Sequence, residues 1–223
     1  MAFNRGYEST NANSRHLLLE ATEKLLEEEG QYAISARRIA ERARVKPPLV
    51  HYFFRTMDDL LVAVFQASAQ RDAKLQSAAL ASTRPLHALW ELNKSIPRCR
   101  INIAFIALCA VHEKLRQEMQ KVEERARSKQ LTALEQLFST REIDRKLYTP
   151  LSITMLIATA ARTVAMETTV GISLGHSELA QLVERILDEL EPHQLASGDA
   201  SKPRQTNFGE ASSTSGRLSY APD

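Results

Sequence analysis

Six cationic side chains, Arg37, Arg38, Arg42, Arg44, Lys46 and Arg55, fall between Gln31 and Met57, where the only acid is Glu41. The whole chain of 223 residues carries a formal net charge of only +2, so this stretch concentrates positive charge. Guanidinium and ammonium groups gathered in this way suit phosphate, the group that supplies most of the affinity in nucleic-acid binding. His51, Tyr52 and Phe53 lie among them and add rings that can stack or hydrogen-bond. The same stretch holds Ile39, Ala40, Ala43, Val45, Val50 and Phe54 at spacings that build a core. One side of it is therefore interior and the other a charged surface, with Glu41 and Arg42 read as solvated helix positions.

Short helices are needed to separate those two sides. Ser35 is a good N-cap, and residues 36–43 read as a two-turn helix with Ile39, Ala40 and Ala43 inward. Pro47 and Pro48 lack backbone donors and fit only the start of a second short helix, leaving Arg44, Val45 and Lys46 as a tight turn. Upstream, Leu17, Leu18, Ala21, Leu25 and Leu26 mark a covering helix over 14–29, closed by a left-handed Gly30. Downstream, Thr56 with Asp58 and Asp59 opens a long helix reaching about Ala81. Three helices in this order form a helix-turn-helix layout, in which the second short helix enters the major groove of duplex DNA.

The remainder also reads as helices. A turn over 82–85 precedes a helix over 86–96 containing Trp90; Pro97 breaks the chain before 101–112, and a charged helix reaches Phe138. Residues 139–148 read as a polar linker, Thr149 and Pro150 open a helix to about Val170, and Gly171 and Gly175 bracket a connection. Ser177 is expected to cap a last helix striped by Leu179, Leu182, Val183, Ile186, Leu187 and Leu190. The expected fold is all-α, with about nine helices. Its parts are a flexible arm over 1–13, a helix-turn-helix domain over 14–60, a helical domain over 61–191 and a disordered tail over 192–223.

Other classes of function find little support. His112-Glu113 has no second histidine at metal-binding spacing, the two cysteines form no paired motif, and neither a glycine-rich phosphate loop nor a Gly-x-Ser-x-Gly elbow occurs. The expectation is a protein that is not an enzyme, with no metal and no cofactor. The apolar window from Leu151 to Ala161 ends at Arg162, short of the roughly 20 residues that span a bilayer, so no membrane association is expected. Cys99 and Cys109 read as reduced core residues of a cytoplasmic protein. The alternative is a helical ligand-binding or scaffold protein whose basic segment is only a solvated face.

Residues 15–61 resemble the N-terminal domain of the tetracycline-repressor (TetR) family of bacterial transcription regulators. LLLEATEKLLEEEG is similar to its first helix, ISARRIAERARV to its second helix and turn, and LVHYFFRTMDDLL to its recognition helix and the start of the fourth. The resemblance implies DNA contacts from Ser35, Arg37, Arg38 and Lys46, a groove-facing Pro47, Pro48 and Leu49, and recognition by His51, Tyr52 and Phe53, with Arg55 and Thr56 at the following helix start. Arg44, His51 and Met57 stand where the family usually has glycine, tyrosine and lysine.

The resemblance further implies a repressor that a small-molecule effector releases from a palindromic operator, working as a homodimer. Effector-pocket candidates on the central helices are Trp90, Phe105, Cys109, His112, Met155 and Met166. Dimer-interface candidates on the last two helices are Leu156, Ala160, Val164, Leu182, Ile186 and Leu190.

Overall fold

The structure is a computed structural model that describes the backbone of residues 3–141 and 143–192, with side chains from residue 13 onward. The expected disordered tail lies outside the described residues, apart from Pro192. Among the described residues all regular structure is helical: α1 (Phe3–Glu29), a single 3-10 turn (Gln31–Ala33), α2 (Ala36–Arg42), α3 (Pro48–Phe53), α4 (Met57–Leu80), α5 (Pro85–Asn93), α6 (Ile96–Leu108), α7 (Glu113–Ser139), α8 (Pro150–Thr169) and α9 (His176–Leu190). Among these residues no helix is long and apolar enough to cross a membrane.

Capping chemistry sets most of the starts. The Ser35 hydroxyl accepts from Arg38 N at 3.3 Å. Thr56 and Asp59 form a reciprocal capping box at 3.1 Å in both directions, and Thr149 and Ser152 form another at 3.0 and 3.1 Å. Each such cap is worth about 1 kcal/mol. Pro48, Pro85 and Pro150 open α3, α5 and α8, where a missing N–H costs nothing.

Three boundaries differ from the sequence reading. α1 begins at Phe3, eleven positions before the expected Ser14, because no proline in this segment ends the helix. Pro97 sits inside the first turn of α6, which starts at Ile96, instead of breaking the chain before it. Gly175 at φ 88° caps α9 in place of Ser177, whose hydroxyl donates to Glu178 Oε2 at 2.7 Å. Gly30 closes α1 at φ 79°, ψ −172°, a conformation that only glycine adopts cheaply.

Two cores hold the helices together. The first joins Leu18, Leu25 and Leu26 of α1, Ile39 of α2, Val50 of α3 and Leu60, Val64 and Phe65 of α4 to Phe105 of α6 and Leu115 of α7. The second packs Trp90 of α5, Leu134 and Phe138 of α7, Ile157 of α8 and Val183 and Leu187 of α9. Because the first core takes in α6 and the start of α7, residues on either side of Leu60 share one interior. The three-helix head is thus seated directly on the helices that line the cavities described below.

Candidate nucleic-acid interface and ligand cavities

The turn between α2 and α3 is a Schellman closure. Val45 N donates to Ala40 O at 2.9 Å and Arg44 N to Glu41 O at 3.1 Å, which brings Val45 back against the first core. Arg44 supplies the left-handed residue at φ 56° and is the one non-glycine with positive φ among the described residues. An L side chain pays about 1–2 kcal/mol for that conformation, a cost that a glycine here would avoid.

α3 is divided cleanly by burial. Val50 is 1% exposed and Phe54, just past its end, 4%, whereas Tyr52 is 67% exposed and Pro47, Pro48 and His51 are also open to solvent. Ser35, Arg37, Lys46, Arg55 and Thr56 are exposed as well. Arg37, Arg44, Lys46 and Arg55 have no ion-pair partner among the described residues. Arg38 Nη2 instead meets Glu29 Oε2 at 2.5 Å and Arg42 Nη2 meets Glu28 Oε2 at 2.5 Å, tying α2 to α1. Leu49 is half-buried, and Phe53 packs against the first core with its ring edge-on to Tyr52 at 5.0 Å. Arg15 on α1 was not among the expected contacts; its guanidinium lies 5.2 Å from the centre of the Phe54 ring, beside this surface.

Behind the head, the helices enclose two adjoining cavities. A larger one of about 460 Å³ lies between α4 and α7 with Asn102 of α6 in its wall, and a smaller one of about 230 Å³ continues toward α5 and α8. Asp72, Gln76, Asn102, Glu123, Ala126 and Gln130 line both. Arg98 on α6 binds Asp72 in a two-pronged pair, Nε to Oδ1 at 2.9 Å and Nη2 to Oδ2 at 3.1 Å, and Gln130 Nε2 donates to Gln76 Oε1 at 3.0 Å.

Of the six expected effector-pocket residues, Met155 alone lines either of these two cavities. Trp90 and Phe105 are each 1% exposed and belong to the two cores, Trp90 donating from Nε1 to Glu184 Oε1 at 3.4 Å and Phe105 meeting Phe65 edge-on at 5.3 Å. Cys109 sits against Met119, its Sγ 3.6 Å from Sδ, and burial pushes up the thiol pKa of both Cys109 and Cys99. His112 precedes α7 and pairs with Asp58, and Met166 is 45% exposed on α8. The sequence signal for the polar lining is the row Leu60, Val64, Ser68, Asp72 and Gln76, four apart along α4, which turns from apolar to polar midway.

The expected dimer residues divide likewise. Ala160 and Leu190 are buried in the chain's own second core, Leu156, Val164 and Ile186 are half-buried, and Leu182 is 54% exposed. Met155, Met166 and Val170 leave further apolar surface open on α8.

Comparison with known proteins agrees with this architecture. Residues 18–64 match the family model for bacterial regulatory proteins of the tetR family. No curated protein matches the chain. A TetR transcription regulator from Haloarcula marismortui superposes with TM-score 0.63 at 17% identity, over 80% of this chain and 98% of that one. A protein from Saccharomonospora viridis in complex with choline gives TM-score 0.66 at 15% identity over 79% and 96%. The transcriptional regulator FadR from Bacillus subtilis, in complex with stearoyl-CoA, gives 0.57 at 15% over 79% and 97%. Residues 18–64 are thus similar to the tetR-family domain of bacterial regulatory proteins, and the chain has the all-helical fold of these solved structures.

Proposed function

We propose that the protein is a sequence-specific DNA-binding transcriptional regulator, a repressor that a small-molecule effector releases from a palindromic operator. The observation that carries this reading is the exposed outer face of α3. Tyr52, His51 and the two prolines point away from a core that Val50 and Phe54 complete, and unpaired cations at Arg37, Lys46 and Arg55 flank them. Phosphate contacts from those cations would set the register, and Arg37 and Tyr52 are the first choices for reaching base edges. Arg38 is a weaker choice, since a phosphate would have to compete with Glu29 for it.

Open apolar side chains on α8 and α9 support pairing of two copies through these helices in a four-helix arrangement. Two-fold pairing would set the two α3 helices about 34 Å apart, one turn of DNA, and so requires a palindromic site. The two cavities on α4, whose first turn follows α3, support effector control. A ligand that prefers one spacing of the heads would shift the equilibrium between bound and released states.

Selection of bound sequences from randomised duplexes with the purified full chain tests the reading. A two-fold symmetric site should emerge with half-sites one turn apart. A helical ligand-binding or scaffold protein that does not read DNA would enrich no sequence.

A further inference from the structure

The side chains around the two cavities leave a charge unmatched. The Asp72–Arg98 pair is neutral in itself. Arg125 and Lys129 line the larger cavity, Arg127 and Arg162 the smaller, and none of the four has an ion-pair partner among the described residues. Against them stand Glu118, which accepts from Gln66 Nε2 at 2.8 Å, and Glu123. Two hydrogen-bonding groups are also left over. Among the described residues, neither the side chain of Ser68, only 9% exposed and lining the larger cavity, nor the half-buried Asn102 amide, on the wall common to both, has a hydrogen-bond partner. Both groups open onto the larger cavity, where their donors and acceptors are free to bond a ligand.

We propose that the effector is a small organic acid, its carboxylate held by Arg127 of α7 and Arg162 of α8 and its polar substituents directed to Asn102 and Ser68. This rests on the effector-released regulator proposed above and adds the chemistry of the ligand. A planar guanidinium fork matches a carboxylate in a way that a neutral group cannot. Other ligand classes fit less well. Phe65 is the sole aromatic side chain lining either cavity, so no aromatic cage awaits a quaternary ammonium. The polar junction of Asp72, Gln76, Asn102 and Gln130 interrupts any path for a long acyl chain.

Calorimetric titration of the full chain with a panel of hydroxylated C4–C10 monocarboxylic acids, and with the primary amide and the amine corresponding to each, tests this. At least one acid should bind ten or more times more tightly than its amide. Arg127→Gln and Arg162→Gln should each weaken that acid at least tenfold, Arg162→Lys should recover part of the loss, and Asn102→Ala should weaken it severalfold. Both arginines are exposed, and circular dichroism will verify that the variants keep their helical content. The proposal is overturned if no acid binds, if amides bind as well as acids, or if both arginine variants bind the acid as the parent does. The effector reading is judged separately, by titrating the selected duplex. An acid that binds at these arginines without weakening duplex binding sustains the site but refutes its regulatory role. An amine or amide that releases DNA when no acid does overturns the acid and sustains the effector.

Discussion

His112 Nδ1 donates to Asp58 Oδ1 at 2.6 Å, so the residue preceding α7 is tied to the first turn of α4. One position on in α4 and two positions on in α7, Lys114 Nζ reaches Asp59 Oδ1 at 3.0 Å. These two struts meet where α3 hands over to α4, and they link the head to a helix that lines both cavities. Partly buried, charge-assisted bonds of this kind contribute about 1–2 kcal/mol. His112→Ala should lower stability by about 1 kcal/mol in urea unfolding and change affinity for the selected duplex by roughly fivefold. A variant that loses stability with unaltered DNA affinity would make the strut purely structural.

The acid limb of stability should depend on two carboxylates. Lys114 and then Thr56 hold Asp59 below its ordinary value of 3.8, and Arg84 and then His87 do the same for Asp188. A depressed folded pKa means that protonation opposes folding. The contribution is complete above the ordinary value and is lost as pH falls through the lowered one. In Tm measurements from pH 6 to 2.5, Asp59→Asn and Asp188→Asn should each be less stable than the parent near pH 6 and approach it as the pH falls below the ordinary value of 3.8. Parallel curves would contradict this.

Arg44→Gly should relieve the left-handed strain in the turn. The expected gain is about 1 kcal/mol, offset in part by the extra freedom glycine gives the unfolded chain. If the Arg44 side chain also contacts phosphate, the same variant will bind DNA more weakly while melting higher. A lower Tm would mean that the arginine side chain contributes packing not evident from its exposure.

Glu191 is a 1% exposed carboxylate that accepts from Leu86 N at 3.0 Å, His87 N at 3.2 Å and His87 Nδ1 at 3.0 Å, closing the start of α5 from the end of α9. Glu191→Ala would leave these donors without their acceptor. It should cost about 2–4 kcal/mol in chemical denaturation, and Glu191→Gln less, because its carbonyl keeps one acceptor. A loss below 0.5 kcal/mol, on the order of an ordinary surface substitution, would show that water replaces it.

The head was legible because local chemistry fixes it. Ser35 and Thr56 mark helix starts by hydrogen bonds within three residues, Pro48 marks one by needing no donor in a first turn, and the Ile39, Val50 and Phe54 spacing selects the buried side. The turn's place at Arg44, Val45 and Lys46 was legible too, and its left-handed residue is Arg44, where the resembling family has glycine. The cavities were not, because their lining comes from helices far apart in sequence, as the Asp72–Arg98 and Gln76–Gln130 contacts illustrate. Large apolar side chains such as Trp90 and Phe105 suit a pocket wall by type, yet burial of their area is worth most in a closed core, and both are there. Arg38 shows the limit of a sequence motif in another way: its type suits phosphate, but the nearest anion belongs to α1.

Equilibrium titration of the selected duplex with the parent chain and with Arg37→Ala/Tyr52→Ala, at 50 and 200 mM salt, tests DNA reading through α2 and α3 most directly. The parent should bind the selected site on the order of 10³-fold or more tightly than random duplex, and lose affinity by about that factor as the salt rises. The double variant, still folded and of unchanged oligomeric state, should lose most of the preference for the selected site. Equal affinity of parent and variant for that site, or parent binding that is indifferent to both sequence and salt, would contradict the account.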